Sequence, residues 1–102
     1  MIPEDVTREA LEAEWLQLTR ITLPALAPER RWPVREDHCF QRILLDNACE
    51  GRWYDTIAER PAYAHAPDAV LTRAVALARD ALAGTADLHD LNRRSLAWRR
   101  AR

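Results

Sequence analysis

The sequence predicts an all-α protein that forms a single helical domain over residues 1–102. Apolar residues recur at every third or fourth position in several segments, which is the period of a helix with one buried face. No segment of strand length alternates apolar and polar residues. The composition, 48% hydrophobic and 30% charged with only two glycines, is typical of one globular domain with a modest core. We therefore predict a bundle of four main helices plus a short helical turn.

The first helix is predicted from about Pro3 to between Thr19 and Ile21, because proline is accepted at the first helical position. The segment Leu23–Pro33 contains three prolines and is predicted to be a connector. The apolar residues that share the buried face of the first helix are Leu11, Trp15 and Leu18.

The central helix is predicted to begin near Arg35 or Glu36 and to end at Gly51, a residue type that readily adopts the left-handed conformation. Its apolar residues occupy two sides, so the helix is either central in the domain or covered by a partner subunit. We favour a homodimer through this helix. The main apolar face carries Phe40, Ile43, Leu44 and Ala48, and the opposite side carries Leu45 and Cys49 beside His38 and Arg42.

A short helical turn is predicted over Trp53–Glu59, followed by an irregular linker over residues 60–67. The clearest helix begins at or near Pro67 and ends just before Gly84, with Leu71, Val75 and other apolar residues on one face.

The last helix is predicted to begin after Thr85 or Asp87, either of which can cap it, and to run towards Arg100. Asn92 and Ser95 fall within its apolar stripe. A buried amide or hydroxyl without a partner costs about 1 to 3 kcal/mol, so both should be hydrogen-bonded, most simply to the backbone of the proline-rich connector.

Cys39 is the sharpest candidate for chemistry, because the helix dipole and the charges of Arg35 and Arg42 would stabilise its thiolate. His38 is then a candidate proton carrier, although it lies about 100° away around the helix. The alternative is an inert, buried Cys39, which the general burial of cysteine favours. Cys49 is predicted to serve packing, and a separation of about 15 Å along one helix excludes a disulfide between the two.

An anion site is the second interpretation of the same region. Arg35 and Arg42 would form a fork for a carboxylate or phosphate, with Asp46 holding one of them in place. The alternative is a surface ion pair between Arg42 and Asp46, which are four residues apart. Trp32 and Trp53 bracket the helix and either fasten its ends to the core or wall a pocket.

Neither a metal site nor a cofactor is predicted, since the sequence has no paired cysteine or histidine spacing and no glycine-rich nucleotide motif. Whether the protein is an enzyme is left open. The last helix carries Arg93, Arg94, Arg99 and Arg100, candidates for nucleic-acid contact. The formal net charge of −1 makes that function the least favoured, because basic residues at a helix C-terminus also complement its dipole.

The N-terminus is acidic within five residues and has no apolar core of a signal peptide, and no apolar stretch is long enough to span a bilayer. We therefore expect a cytoplasmic protein without membrane contact.

The pattern DHCF, RILLD, GRW and LNRRSLAWR resembles a family of small bacterial proteins that have no established activity. The resemblance implies no functional residue. From the residues alone, the first hypothesis is a small helical binding or interaction protein, homodimeric through the central helix. The alternatives are an anion-binding or enzymatic pocket at the start of that helix, and nucleic-acid binding through the last one.

Overall fold

The computed structural model describes residues 7–101 and confirms the all-α architecture of four main helices. The first of these begins at α1 (Arg8–Gln17), where the hydroxyl of Thr7 accepts a hydrogen bond from the N–H of Ala10 at 3.0 Å. It continues through a π-helical segment (Leu18–Thr22) into α2 (Leu23–Arg30). The predicted start at Pro3 lies outside the described residues.

The prediction of a connector over Leu23–Pro33 is therefore wrong for Leu23–Arg30, which is helical. Pro24 is accommodated because it lies in the first turn of α2, directly after the N–H of Leu23 bonds the carbonyl of Leu18 in the wider π-helical pattern. Pro28 lies near the end of the helix, which stops at Arg30. Arg31 then adopts a left-handed conformation with φ of 56° and turns the chain towards the central helix.

The central helix, α3 (Asp37–Cys49), lies between the first helix on one side and the last two helices on the other. Its main apolar face is buried as predicted, and so are Leu45 and Asp46. The helix ends differently from the prediction, because Glu50 and not Gly51 adopts the left-handed conformation, with φ of 54°.

The chain between α3 and α5 covers the second apolar side of α3. It consists of a 3-10 turn (Trp53–Asp55), the buried Ile57 and the single-turn helix α4 (Ala62–His65). The predicted short turn is thus found within 53–59, and the predicted irregular linker contains one helical turn.

The last two helices agree closely with the sequence. α5 (Asp68–Ala83) ends at Gly84, whose φ of 85° is the left-handed conformation expected there. α6 (Leu88–Arg100) is capped by Asp87, whose carboxylate accepts a hydrogen bond from the N–H of His89 at 2.9 Å. Both helices pack against α3 and leave an open groove between them.

Candidate functional site

A fully buried carboxylate joins the central helix to the last one. Asp46 accepts hydrogen bonds from the hydroxyl of Ser95 at 2.6 Å and from Nε of Arg99 at 2.7 Å. A second Arg99 nitrogen lies at 3.2 Å, and the backbone N–H of Trp53 donates to the same carboxylate at 2.9 Å. The charge of Asp46 is therefore compensated by Arg99, which belongs to α6.

Arg42 does not pair with Asp46, contrary to the predicted ion pair. Its guanidinium donates to Ser95 Oγ at 2.7 Å and to Asn92 Oδ1 at 2.9 Å, so it reaches Asp46 only through the Ser95 hydroxyl. The prediction that Asn92 and Ser95 bond the backbone of the connector is also wrong, because both side chains accept hydrogen bonds from Arg42, a half-buried arginine on the facing helix.

The environment of Arg42 disfavours its positive charge. Burial lowers the pKa of Arg42, and the neighbouring charge of Arg99 lowers it further, while Cys39 and Asp46 act in the opposite direction with smaller effect. Arg99 thus pairs with the buried carboxylate of Asp46, and Arg42 is bonded only to the neutral oxygens of Ser95 and Asn92.

Arg42 also lines a cavity of about 240 Å³ between α3 and the chain that follows it. We call this the basic cavity, because its lining contains three basic side chains and, among residues 7–101, no acidic one. Its lining residues are His38, Gln41, Arg42, Leu45, Trp53, Arg60, Pro61 and Ala62.

The apolar part of this lining explains the second apolar side of α3. Leu45 is only 3% exposed, and it lines this cavity together with residues of the 53–62 segment of the same chain. Cys49 is half-buried and packs against the core. The observation that favoured a subunit interface through Leu45 and Cys49 is therefore accounted for by intramolecular packing.

Arg60 is the basic residue that sequence reasoning missed. Its guanidinium carbon lies 4.9 Å from the ring centroid of Trp53, in cation–π geometry. Arg60 belongs to a loop whose path no periodic pattern reveals. The predicted partner of Arg42, Arg35, is exposed, lies outside the cavity lining, and forms no side-chain hydrogen bond within residues 7–101. The predicted fork of Arg35 and Arg42 is therefore not formed.

Cys39, the candidate nucleophile, lies outside the lining of the basic cavity, whereas His38 is part of it. Cys39 is half-buried. The His38 side chain is 71% exposed, and its Nδ1 lies 3.6 Å from Asp37 and 3.7 Å from Glu36. In the part of the chain that the structure describes, no hydrogen bond joins His38 to Cys39, so the pair is not arranged as a base and a nucleophile.

The two bracketing tryptophans differ in role. Trp32 packs edge-on against Phe40, with ring centroids 5.7 Å apart, and fastens the start of α3 to the core. Trp53 follows the end of α3 and, in addition to its backbone bond to Asp46, provides one wall of the basic cavity. Both predicted uses of these residues, fastening and walling, thus occur.

The four C-terminal arginines do not form one basic surface. Arg99 is engaged with Asp46, while Arg93 and Arg94 both lie 3.2 Å from the carboxylate of Asp90. Arg100 is exposed at the end of α6. Most of the charge predicted for nucleic-acid contact is therefore paired within the chain.

A larger cavity, of about 450 Å³, fills the groove between α5 and α6. Its charges are mixed: Arg73 is committed to the carbonyl of Ala48 at 2.7 Å and Arg94 to Asp90, while Glu50 and Asp80 add negative charge. Among residues 7–101 no group of three potential metal ligands is found, and no helix there is both long and apolar enough to cross a membrane.

Fold and cavity together define the class: an all-α protein with a small basic cavity between its central helix and the loop that follows. Comparisons of the chain with protein-family models, curated proteins and solved structures find no match.

Proposed function

We propose that this protein binds a small anion, a carboxylate or phosphate, in the basic cavity. The observation that carries the proposal is the charge imbalance at Arg42: the buried carboxylate of Asp46 pairs with Arg99, and the guanidinium of Arg42 donates only to neutral oxygens. A partly desolvated cation is costly unless it is paired, so an anion beside Arg42 would relieve that cost.

The donors that remain at the cavity suit such a ligand. A guanidinium has five N–H donors, and two nitrogens of Arg42 each donate one hydrogen bond to Asn92 or Ser95. Arg60 faces the same cavity and lies over the Trp53 ring. Arginine donors arranged in this way bind carboxylate and phosphate oxygens in charge-assisted hydrogen bonds.

The dimensions of the cavity indicate a small ligand. Its volume of about 240 Å³ falls below the roughly 300 to 1,000 Å³ of pockets that hold drug-sized molecules. Inorganic phosphate and short carboxylic acids fit this size. Cys39 is not in the lining, and among residues 7–101 no serine, threonine or cysteine lines the cavity as a nucleophile, which supports binding over covalent catalysis.

A cytoplasmic location is part of the same proposal. Cys39 and Cys49 are both free, which fits a compartment that keeps thiols reduced. The homodimer expected from Leu45 and Cys49 is not part of it, because the chain itself covers Leu45.

The test is titration calorimetry with inorganic phosphate and with glycolate, comparing wild type with Arg60→Gln and Arg35→Gln. Both variants lose one exposed positive charge, but only Arg60 lines the cavity. We expect Arg60→Gln to weaken binding about tenfold, the effect of one charge-assisted hydrogen bond, and Arg35→Gln to bind like wild type. Equal affinities of the two variants, or no binding by wild type at millimolar ligand, would contradict the proposal.

A further inference from the structure

We infer that Gln41 makes the basic cavity selective for an oxyanion that carries its own hydrogen-bond donor, such as a phosphate with a P–OH group or a hydroxy acid. This inference rests on the proposed function and names the ligand class of the same site. Gln41 is the one amide side chain in the cavity lining formed by described residues.

The orientation of the Gln41 carboxamide follows from the proton of Thr19. Thr19 is fully buried, and its Oγ lies 2.8 Å from the carbonyl oxygen of Trp15. Two buried oxygens at that distance need a proton between them, and the carbonyl has none. The single hydroxyl proton of Thr19 is therefore directed at Trp15.

Thr19 consequently acts only as an acceptor towards Gln41. The atom of Gln41 that lies 3.0 Å from Thr19 Oγ must be the donor, Nε2. The alternative flip of the amide would place Oε1 against a hydroxyl oxygen whose proton is already used. The carboxamide oxygen is thus the atom that remains for the cavity.

The π-helical segment places Thr19 for this purpose. Thr19 lies in the segment Leu18–Thr22 and remains wholly inside the domain, where its hydroxyl meets Gln41 of the facing helix, 22 residues further along the chain. π-Helical turns of this kind are frequent beside functional sites.

A half-buried acceptor in the lining that also contains Arg42 and Arg60 discriminates between anions. The arginines attract any oxyanion, but an anion without a proton turns a negative oxygen towards Oε1 of Gln41. An anion with an O–H group donates to that oxygen instead. Leaving this half-buried acceptor unpaired when the anion binds weakens affinity by about tenfold.

Phosphate and sulfate provide the test, because they have the same tetrahedral shape, and at pH 7 phosphate retains a P–OH donor whereas sulfate has none. By titration calorimetry we expect wild type to bind phosphate about tenfold more tightly than sulfate, and glycolate more tightly than acetate. In Gln41→Leu the preference should vanish, because phosphate loses the acceptor for its P–OH group and binds more weakly, while sulfate no longer faces an unpaired oxygen and binds more tightly.

Thr19→Val provides an independent second variant. It removes the acceptor that holds Nε2, so the carboxamide can rotate and donate to sulfate, and the preference should fall because sulfate binds more tightly. Urea denaturation checks that both variants fold. Equal affinity of wild type for phosphate and sulfate would overturn the role of Gln41 and leave the anion site standing. Failure of wild type to bind any of the four anions would overturn the proposed function itself.

Discussion

Asp46 shows how much of the tertiary structure depends on one side chain. Its carboxylate meets a donor from the 3-10 turn and donors from two residues of α6, and none from its own helix. Both carboxylate oxygens are engaged, and the side chain is fully buried. Removal of the charge would leave Arg99 without its counterion and the Trp53 N–H with a weaker acceptor.

Asp46→Asn is therefore expected to lower the free energy of unfolding by about 2 to 3 kcal/mol. Breaking a fully buried ion pair costs about 3 to 5 kcal/mol, and the Arg99 side chain is 28% exposed, which moderates the loss. Urea denaturation at pH 7 measures it. Asp90→Asn is the matched control, since Asp90 pairs with arginines on the surface of α6 and should change stability by less than about 1 kcal/mol. A loss of stability in Asp46→Asn as small as that in Asp90→Asn would show that the buried network contributes little.

Cys49 gives stability a dependence on alkaline pH. Burial raises the pKa of its thiol; Thr56 lowers the pKa by less than burial raises it, and Asp46 (raising) and Arg73 (lowering) have still smaller effects. Because the pKa of Cys49 is higher in the folded than in the unfolded protein, its contribution to the free energy of unfolding is fully present at pH values below the ordinary thiol pKa. This contribution is lost as the pH rises from the ordinary thiol pKa through the folded-state pKa.

The difference in unfolding free energy between pH 7 and pH 10 should therefore be smaller in Cys49→Ala than in wild type. Other groups that titrate between pH 7 and pH 10 are present in both proteins, so their effects on the free energy of unfolding cancel in the comparison. If Cys49→Ala has an unchanged pH profile, the thiol is not desolvated as described.

At this scale the sequence identified relevant residues but not their partners. Arg42 and Asp46 were both predicted to matter, and the i,i+4 rule paired them because it considers only one helix. The actual side-chain partners of Asp46 are Ser95 and Arg99, which lie 49 and 53 residues further along the chain. Such distances carry no local signal, so only the packing of α6 on α3 reveals them.

Among the elements, the helices with regular patterns were predictable and their junctions were not. α5 begins and ends as its apolar period and Gly84 indicate. The segment Leu23–Arg30 was predicted as a connector because of its prolines, yet it is helical, since Leu23 and Ala27 are completely buried and packing outweighs local preference.

The end of α3 is a second case in which the sequence was misleading, and it supports a prediction. Glu50 adopts a left-handed conformation with φ of 54°, which costs an L-residue about 1 kcal/mol relative to glycine, while Gly51 has no such requirement. We expect Glu50→Gly to stabilise the protein by about 0.5 to 1 kcal/mol in urea denaturation. Gly51→Ala should be tolerated, because a Cβ at that position meets no atom within 4 Å. Destabilisation by Glu50→Gly would contradict the assigned helix end.

At the scale of the whole molecule, the basic cavity arises from two parts of the chain with different predictability. One wall is a face of α3 carrying His38, Gln41, Arg42 and Leu45, whose spacing the sequence shows directly. The other wall is the irregular 53–62 segment, which contributes Trp53 and Arg60. Its path depends on packing and not on a repeating pattern, so the sequence indicated half of the site.

The substitution Leu45→Arg tests whether the 53–62 segment packs over the second apolar side of α3. Since Leu45 is 3% exposed and lines the basic cavity with Trp53, Pro61 and Ala62, an arginine there would bury a charge or displace the segment. We expect a loss of about 3 kcal/mol or more, a large share of the 5 to 15 kcal/mol typical of a domain. The matched control is Leu96→Arg on α6, where the native leucine is 41% exposed and the loss should be below about 0.5 kcal/mol. Urea denaturation of both variants, with sedimentation to record their assembly, makes the comparison. Leu45→Arg folding as stably as Leu96→Arg would mean that the 53–62 segment does not seal this side of α3, and the side would again be available to a second subunit.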